Sequence, residues 1–172
     1  MTHSVIGQLT RLTRLGLLLA LQILLSRFLS IPTPISKIGF GFVPIFLAGT
    51  LYGPLWGAAV GAASDFLGAQ LFPIGAYFPG YTLTAGLVGA VYGLAFHKKP
   101  VGWGNTLGAV GFISLVLHLG LNTLWITLTT GYGVLGLLAT RIPQNAIMAV
   151  VQVLVIRTLG SRMPVRTAQS QM

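Results

Sequence analysis

Arg27, Asp65 and Arg141 are charged side chains set inside largely apolar runs. Such groups are expensive in hydrocarbon, and each marks a partner or a ligand. Counted back from the end of each run, Arg27 lies roughly 6 Å, and Asp65 and Arg141 each roughly 10 Å, below one face of a membrane. They come from three different runs at similar depth. One arrangement is an ion pair between Asp65 and one arginine that pins the bundle. It leaves the other arginine over, with Lys37 in the loop above it. The surplus is positive, so an anionic ligand would complete the balance. Arginine also presents the paired donors that a carboxylate accepts.

Polar neighbours share this depth. Arg141, Gln144 and Asn145 fall at i, i+3 and i+4, one helical face, and Pro143 between them frees a backbone carbonyl near Ala139. Asn122 lies one turn beyond His118 and close to Trp125. Amides in hydrocarbon are costly without hydrogen bonds. They either tie helices together or line a pocket, and the depth shared with the arginines favours the pocket. Residues 71–81 carry two prolines and the aromatics Phe72, Tyr77, Phe78 and Tyr81. This segment is either an interfacial aromatic belt or a lid whose rings stack on a flat ligand. The connection from Pro32 to Gly41 has similar chemistry.

Other chemistries are excluded. No Gly-rich loop with its Lys-Ser/Thr pair is present to cradle a nucleotide phosphate. One acid cannot form the carboxylate pair of acid–base hydrolysis. His3, His97 and His118 have no metal-ligand spacing, and His118 reads as a hydrogen-bonded bundle residue. There is no cysteine. The expectation is therefore a protein that is not an enzyme, with no catalytic residue, metal site or cofactor.

The elements that hold these residues are membrane helices. The 172 residues are 54% hydrophobic and 6% charged, too few charges to cover a water-facing surface. The net charge of +9 does not point to nucleic acid, because the cations flank apolar runs and no basic, aromatic-bearing stripe is present. Proline and glycine divide the chain into six runs, 12–31, 38–52, 55–72, 79–96, 105–130 and 134–159, most near the length of a membrane span. The second and third are alternatively one re-entrant hairpin. With the N-terminus cytoplasmic, Arg11, Arg14, Lys98, Lys99, Arg157, Arg162 and Arg166 fall inside and Arg27, Lys37 and Arg141 toward the outside, as the positive-inside rule requires. The reading is an all-α integral membrane protein of six transmembrane helices, multi-pass in the cell membrane, with both termini cytoplasmic. Residues 1–11 form an N-terminal tail, 12–160 the bundle and 161–172 a polar tail. Arg11 and Arg14 before the first run, with no cleavage pattern after it, favour a retained span over a signal peptide. No inverted repeat of two halves is evident.

Gly16/Ala20, Gly57/Gly61 and Ala58/Ala62 recur at four-residue spacing, as do Gly89/Gly93. Such faces let helices approach closely, either within the bundle or against another membrane subunit.

Several stretches resemble the folate-specific substrate-binding (S) components of energy-coupling-factor (ECF) vitamin transporters. They are Arg27-Phe28-Leu29-Ser30-Ile31, Lys37 to Pro44, Leu51 to Gly57, Ser64-Asp65, Phe72 to Gly80, Leu121 to Trp125, and Arg141 to Asn145. The resemblance spans Leu12 to Leu159. It implies six helices, an outward-opening pocket, and association with a transmembrane coupling subunit and two ATPase subunits. It also implies delivery by toppling of the whole component in the bilayer. The first helix carries fewer alanines than the family's usual pattern. The resemblance, joined to the chemistry of folate, assigns charge neutralisation to Arg27, Lys37 and Arg141 and ring stacking to Tyr77, Phe78 and Trp125. Asn122, Gln144 and Asn145 read the ring edge, and Asp65 is either a ligand to the ring or an ion-pair partner. It assigns docking to Gly16, Ala20, Gly57, Ala58, Gly61 and Ala62. The competing readings are an S component for another vitamin such as riboflavin, a self-standing carrier, and a structural membrane protein.

Overall fold

A computed structural model describes residues 2–32, 37–73 and 77–162, without the side chains of 2–5, 31–32 and 37–38. Six helices follow one another: α1 (Thr2–Arg27), α2 (Phe42–Tyr52), α3 (Pro54–Leu71), α4 (Pro79–Phe96), α5 (Trp103–Thr130) and α6 (Val134–Arg162). Between α1 and α2, strands β1 (Ile31–Pro32) and β2 (Lys37–Ile38) pair antiparallel, Ile31 opposite Ile38. The first helix departs from the sequence reading. It starts ten residues before Leu12 and stops at Arg27, because the β pairing takes up the chain that follows.

Ile6–Arg27, Trp103–Thr130 and Val134–Arg162 are long and apolar enough to cross a membrane. Many of their leucines face outward; Leu17 is 66% and Leu135 85% exposed. In water this surface would be a liability, whereas in lipid it is ordinary. The largest core cluster draws on α2, α4 and the inner face of α5, with Ile156 of α6. Phe46, Tyr92 and Phe96 are almost fully buried, with ring centroids 5.7 Å (Phe46–Tyr92) and 5.3 Å (Phe46–Phe96) apart, edge to face. The α2–α3 connection is a single residue, Gly53, at φ +97°, a conformation that glycine adopts without the steric cost of a Cβ. Pro54 then starts α3 with no N–H to satisfy.

The glycines of α3 are spent inside the bundle. Gly57 sits on the backbone of Gly89 and Gly61 on that of Ala85. A Cβ on Gly49 would come within 2.8 Å of the Gly93 nitrogen. Gly57 and Gly61 are buried, which corrects their assignment to a docking face: the spacing serves the α3–α4 seam. Gly16 instead has nothing within 4 Å of its Cβ position, and Ala20 is exposed.

Within α5, Ile113–Leu121 is a π-helix of nine residues. The wider turn shifts the phase of the side chains beyond it and loosens the backbone ladder. Both effects matter for the site.

Candidate functional site

A cavity of about 570 Å³ opens between the helices, lined by residues of all six helices and of the segments after α1 and before α4. This is the ordinary size of a small-molecule site. Its mouth lies at the face where α1 ends and α6 begins.

At the mouth Arg27, the last residue of α1, donates from Nη1 to the Phe72 carbonyl at 3.3 Å. Gly68 makes room for it, since a Cβ there would lie 3.1 Å from Nε. Across the opening the Thr82 hydroxyl donates to Asp65 Oδ2 at 2.9 Å. The same hydroxyl lies 3.2 Å from the Tyr77 phenol. Thr82 has one proton and gives it to the carboxylate, so Tyr77 donates in turn to Thr82. Among the described residues Asp65 makes no ion pair with an arginine. The carboxylate is thus steered by hydroxyls and not by a guanidinium.

Midway down, the π segment meets α6. Arg141 is 6% exposed; its Nη2 donates to the His118 carbonyl at 3.1 Å. Asn145 Nδ2 donates to the Ser114 carbonyl at 2.8 Å. An α-helix engages its interior carbonyls along its own axis; here carbonyls of the π segment also accept from α6 side chains, which fixes Arg141 against the cavity wall. Arg141 Nη1 and Asn122 Oδ1 are buried without a hydrogen-bond partner among the described residues. The Asn122 amide lies 3.2 Å from His118 Nδ1. Such unmet groups cost free energy in a buried site, and an incoming ligand carboxylate suits the free guanidinium N–H.

Of the ten residues singled out by sequence for a ligand, Arg27, Asp65, Tyr77, Phe78, Asn122, Arg141, Gln144 and Asn145 line this one cavity. Trp125 does not. Its indole N–H donates to Thr84 Oγ1 at 3.1 Å, and its ring packs behind Phe78 with centroids 5.5 Å apart. Gly80 allows this stack: a Cβ there would fall 2.5 Å from the Phe78 ring and 2.7 Å from Trp125. Trp125 therefore backs the wall instead of facing a ligand. The side chain of Lys37 lies outside the described residues, as do residues 74–76 of the lid segment.

The sequence reading missed Gln22 on α1 and Gln152 on α6, which are 7% and 3% exposed and line the cavity. Treating glutamine in an apolar run like a charged residue would have found both. His118 also lines the cavity while bonding within α5.

Among the described residues the cavity wall carries two guanidinium groups against one carboxylate. It has amides and hydroxyls at several depths and no cluster of three potential metal ligands. The arrangement suits capture of a polar, anionic small molecule and offers no constellation for bond-breaking.

Residues 10–160 match the family model of the ECF transporter, substrate-specific component. The chain is 44% identical over 142 residues to "Folate transporter FolT" of Clostridium novyi (strain NT), covering 83% of each chain. It is 34% identical to the protein of the same name in Leuconostoc mesenteroides, covering 81% of this chain and 78% of that one. Its fold is similar to that in "Crystal structure of FolT bound with folic acid", with a TM-score of 0.85, 32% identity and coverage of 89% and 93%. It is also similar to that in "Structure and mechanism of the S component of a bacterial ECF transporter", with a TM-score of 0.66, 25% identity and coverage of 90% and 95%. The six-helix bundle, the cavity enclosed by it and these matches lead to one conclusion: the chain belongs to the family of ECF transporter substrate-specific components, membrane proteins of transport and not enzymes.

Proposed function

We propose that this chain captures folate and hands it to an ATP-driven partner. The observation that carries the reading is the buried Arg141, whose Nη1 has no partner among the described residues and whose side chain lines the cavity. Folate brings two carboxylates and a flat heterocycle edged with donors and acceptors. Arg27 and Arg141 neutralise the carboxylates, Tyr77 and Phe78 present rings to the flat parts, and Asp65, Asn122, Gln144 and Asn145 supply polar contacts. The names of the two relatives and the solved structure cited above support folate over riboflavin.

Folate enters from outside the cell membrane through the Arg27 face, with both termini cytoplasmic; the cations at the opposite ends of the helices support this orientation. The partners are a transmembrane coupling subunit and two ATPases, and delivery proceeds by toppling. The exposed Gly16–Ala20 face of α1, flanked by the exposed Leu17 and Leu21, is the coupling surface, joined by the half-exposed Ala58 and Ala62 of α3.

Titration of the purified chain in detergent, read by quenching of tryptophan fluorescence, tests the proposal. Folic acid should saturate the signal at low concentration and riboflavin should not. A response to riboflavin alone, or to neither, rejects it.

A further inference from the structure

A second hollow lies on the outside of the bundle, between α5 and α6, with a volume of about 290 Å³. Leu107, Val110 and Gly111 of α5 and Ala149, Val153 and Leu154 of α6 line it. None of them is polar. Val110 is buried at the floor, and Leu107 and Leu154 stand exposed at the rim. Each wall is one helical stripe in steps of three and four residues. On α5 the stripe runs back to Trp103, and on α6 it runs on to Arg157. There the two helices meet, the Arg157 guanidinium lying 4.7 Å from the centre of the Trp103 ring. From Trp103 to Gly111, and from Ala149 to Arg157, the rise along each helix is roughly 12 Å. That is most of the hydrocarbon depth of one leaflet, roughly 15 Å.

Gly111 keeps the hollow open. A Cβ on it would have nothing within 4 Å, unlike Gly57 or Gly89, whose missing side chains let backbones touch. Glycine inside a helix is less stable than alanine, and at Gly111 no part of the described chain takes up the space. The polar end is equally unfinished. Arg157 Nη1 donates to the Val101 carbonyl, and Arg157 Nε is buried with no partner among the described residues. The sequence has one acidic side chain, Asp65, and it lies at the mouth of the central cavity, toward the other face. Val101 belongs to the connection that carries Lys98 and Lys99, both exposed. Positive charge therefore collects at this end with no carboxylate side chain to balance it.

An apolar slot nearly as long as a leaflet is deep, ending in uncompensated cations, matches a phospholipid with an anionic headgroup. A partner helix fits less well, because it would bring an anion to Arg157 only by carrying an acid at that depth, which is rare. We propose that this hollow holds one acyl chain of an anionic phospholipid, with the headgroup phosphate against Arg157 and with Lys98 and Lys99 nearby. Trp103 holds the guanidinium at headgroup level, where tryptophan is itself favoured. With the orientation proposed above, the lipid belongs to the cytoplasmic leaflet. The hollow shares no lining residue with the central cavity, so the lipid site stands or falls independently of the folate reading.

The test uses the full chain in detergent, washed free of native lipid, with bound lipid counted by native mass spectrometry. The probes are phosphatidylglycerol and phosphatidylcholine of equal chain length. The wild-type chain should hold phosphatidylglycerol about tenfold more tightly, and Arg157→Gln should bring the two lipids within about twofold of each other. Gly111→Leu fills the hollow with a side chain that helices favour. It should weaken phosphatidylglycerol at least about fivefold without lowering the melting temperature, and it decides the matter if Arg157→Gln fails to fold. Inorganic phosphate should not displace the lipid. Displacement by phosphate would reduce the site to an anion site and overturn the proposal. Equal retention of both lipids by the wild-type chain, or unchanged phosphatidylglycerol binding in Gly111→Leu, would overturn it too. A protein dimer in place of bound lipid, abolished by Gly111→Leu, would assign the hollow to a second copy and overturn it as well.

Discussion

The two halves of the bundle are built by different means. In α2, α3 and α4 backbone meets backbone: Gly57 rests on Gly89, Gly61 on Ala85 and Gly49 on Gly93. Six of the eleven residues of α2 are buried. In α6 only Leu137, Arg141, Gln152 and Ile156 of 29 residues are buried, and two of those are polar. That helix is held through side chains reaching the carbonyls of a π segment. Membrane helices gain little from apolar contact with each other, since lipid is equally apolar. One half gains its cohesion from close approach and the other from hydrogen bonds, and the second half supplies most of the cavity's unmet polar atoms.

Substitutions should separate the halves. Gly89→Val forces a branched side chain into the Gly57 backbone and should destabilise the fold by about 3 kcal/mol, read as a lower melting temperature in detergent. Unchanged melting would mean the seam is looser than described. Arg141→Ala should weaken folate roughly 100-fold, as expected for losing a buried charge-assisted hydrogen bond, with melting shifted less than in Gly89→Val. Equal damage to both properties would erase the distinction between halves. Thr82→Val breaks the relay from Tyr77 to Asp65 and should cost roughly tenfold in affinity; Tyr77→Phe added to it should then cost nothing more. Arg27→Ala, at the half-exposed mouth, should cost only about threefold. That loss should shrink further at 0.5 M salt, whereas the Arg141 effect should persist.

Much of this was legible beforehand because membrane placement makes a polar residue conspicuous. Arg27, Asp65 and Arg141 stood out against apolar runs, and the 141–144–145 spacing put its amides on the face they occupy. Other features were hidden for identifiable reasons. The glycines of α3 read equally well as a face for a partner or for α4, since spacing records closeness and not the neighbour. The role of Trp125 depended on Gly80, which lets Phe78 stand between it and the cavity. The π segment, Ile113–Leu121, is as helix-compatible in composition as its flanks. Gln152 looked like a tolerated amide in an apolar stretch, and only the fold shows a cavity that reaches it.

Helical winding also limits how this chain can change in length: removing one residue of α5 before Ile113, where no wider turn takes up the change, would swing everything after it by about 100°. Asn122 would leave the cavity wall and Trp125 would lose its post behind Phe78, although no side chain in contact with ligand had been altered. The exposed turn at Gly131–Gly133 faces no such restriction. Insertions and deletions among relatives should therefore be tolerated at that turn and avoided at mid-helix, where chain length itself acts as part of the recognition apparatus.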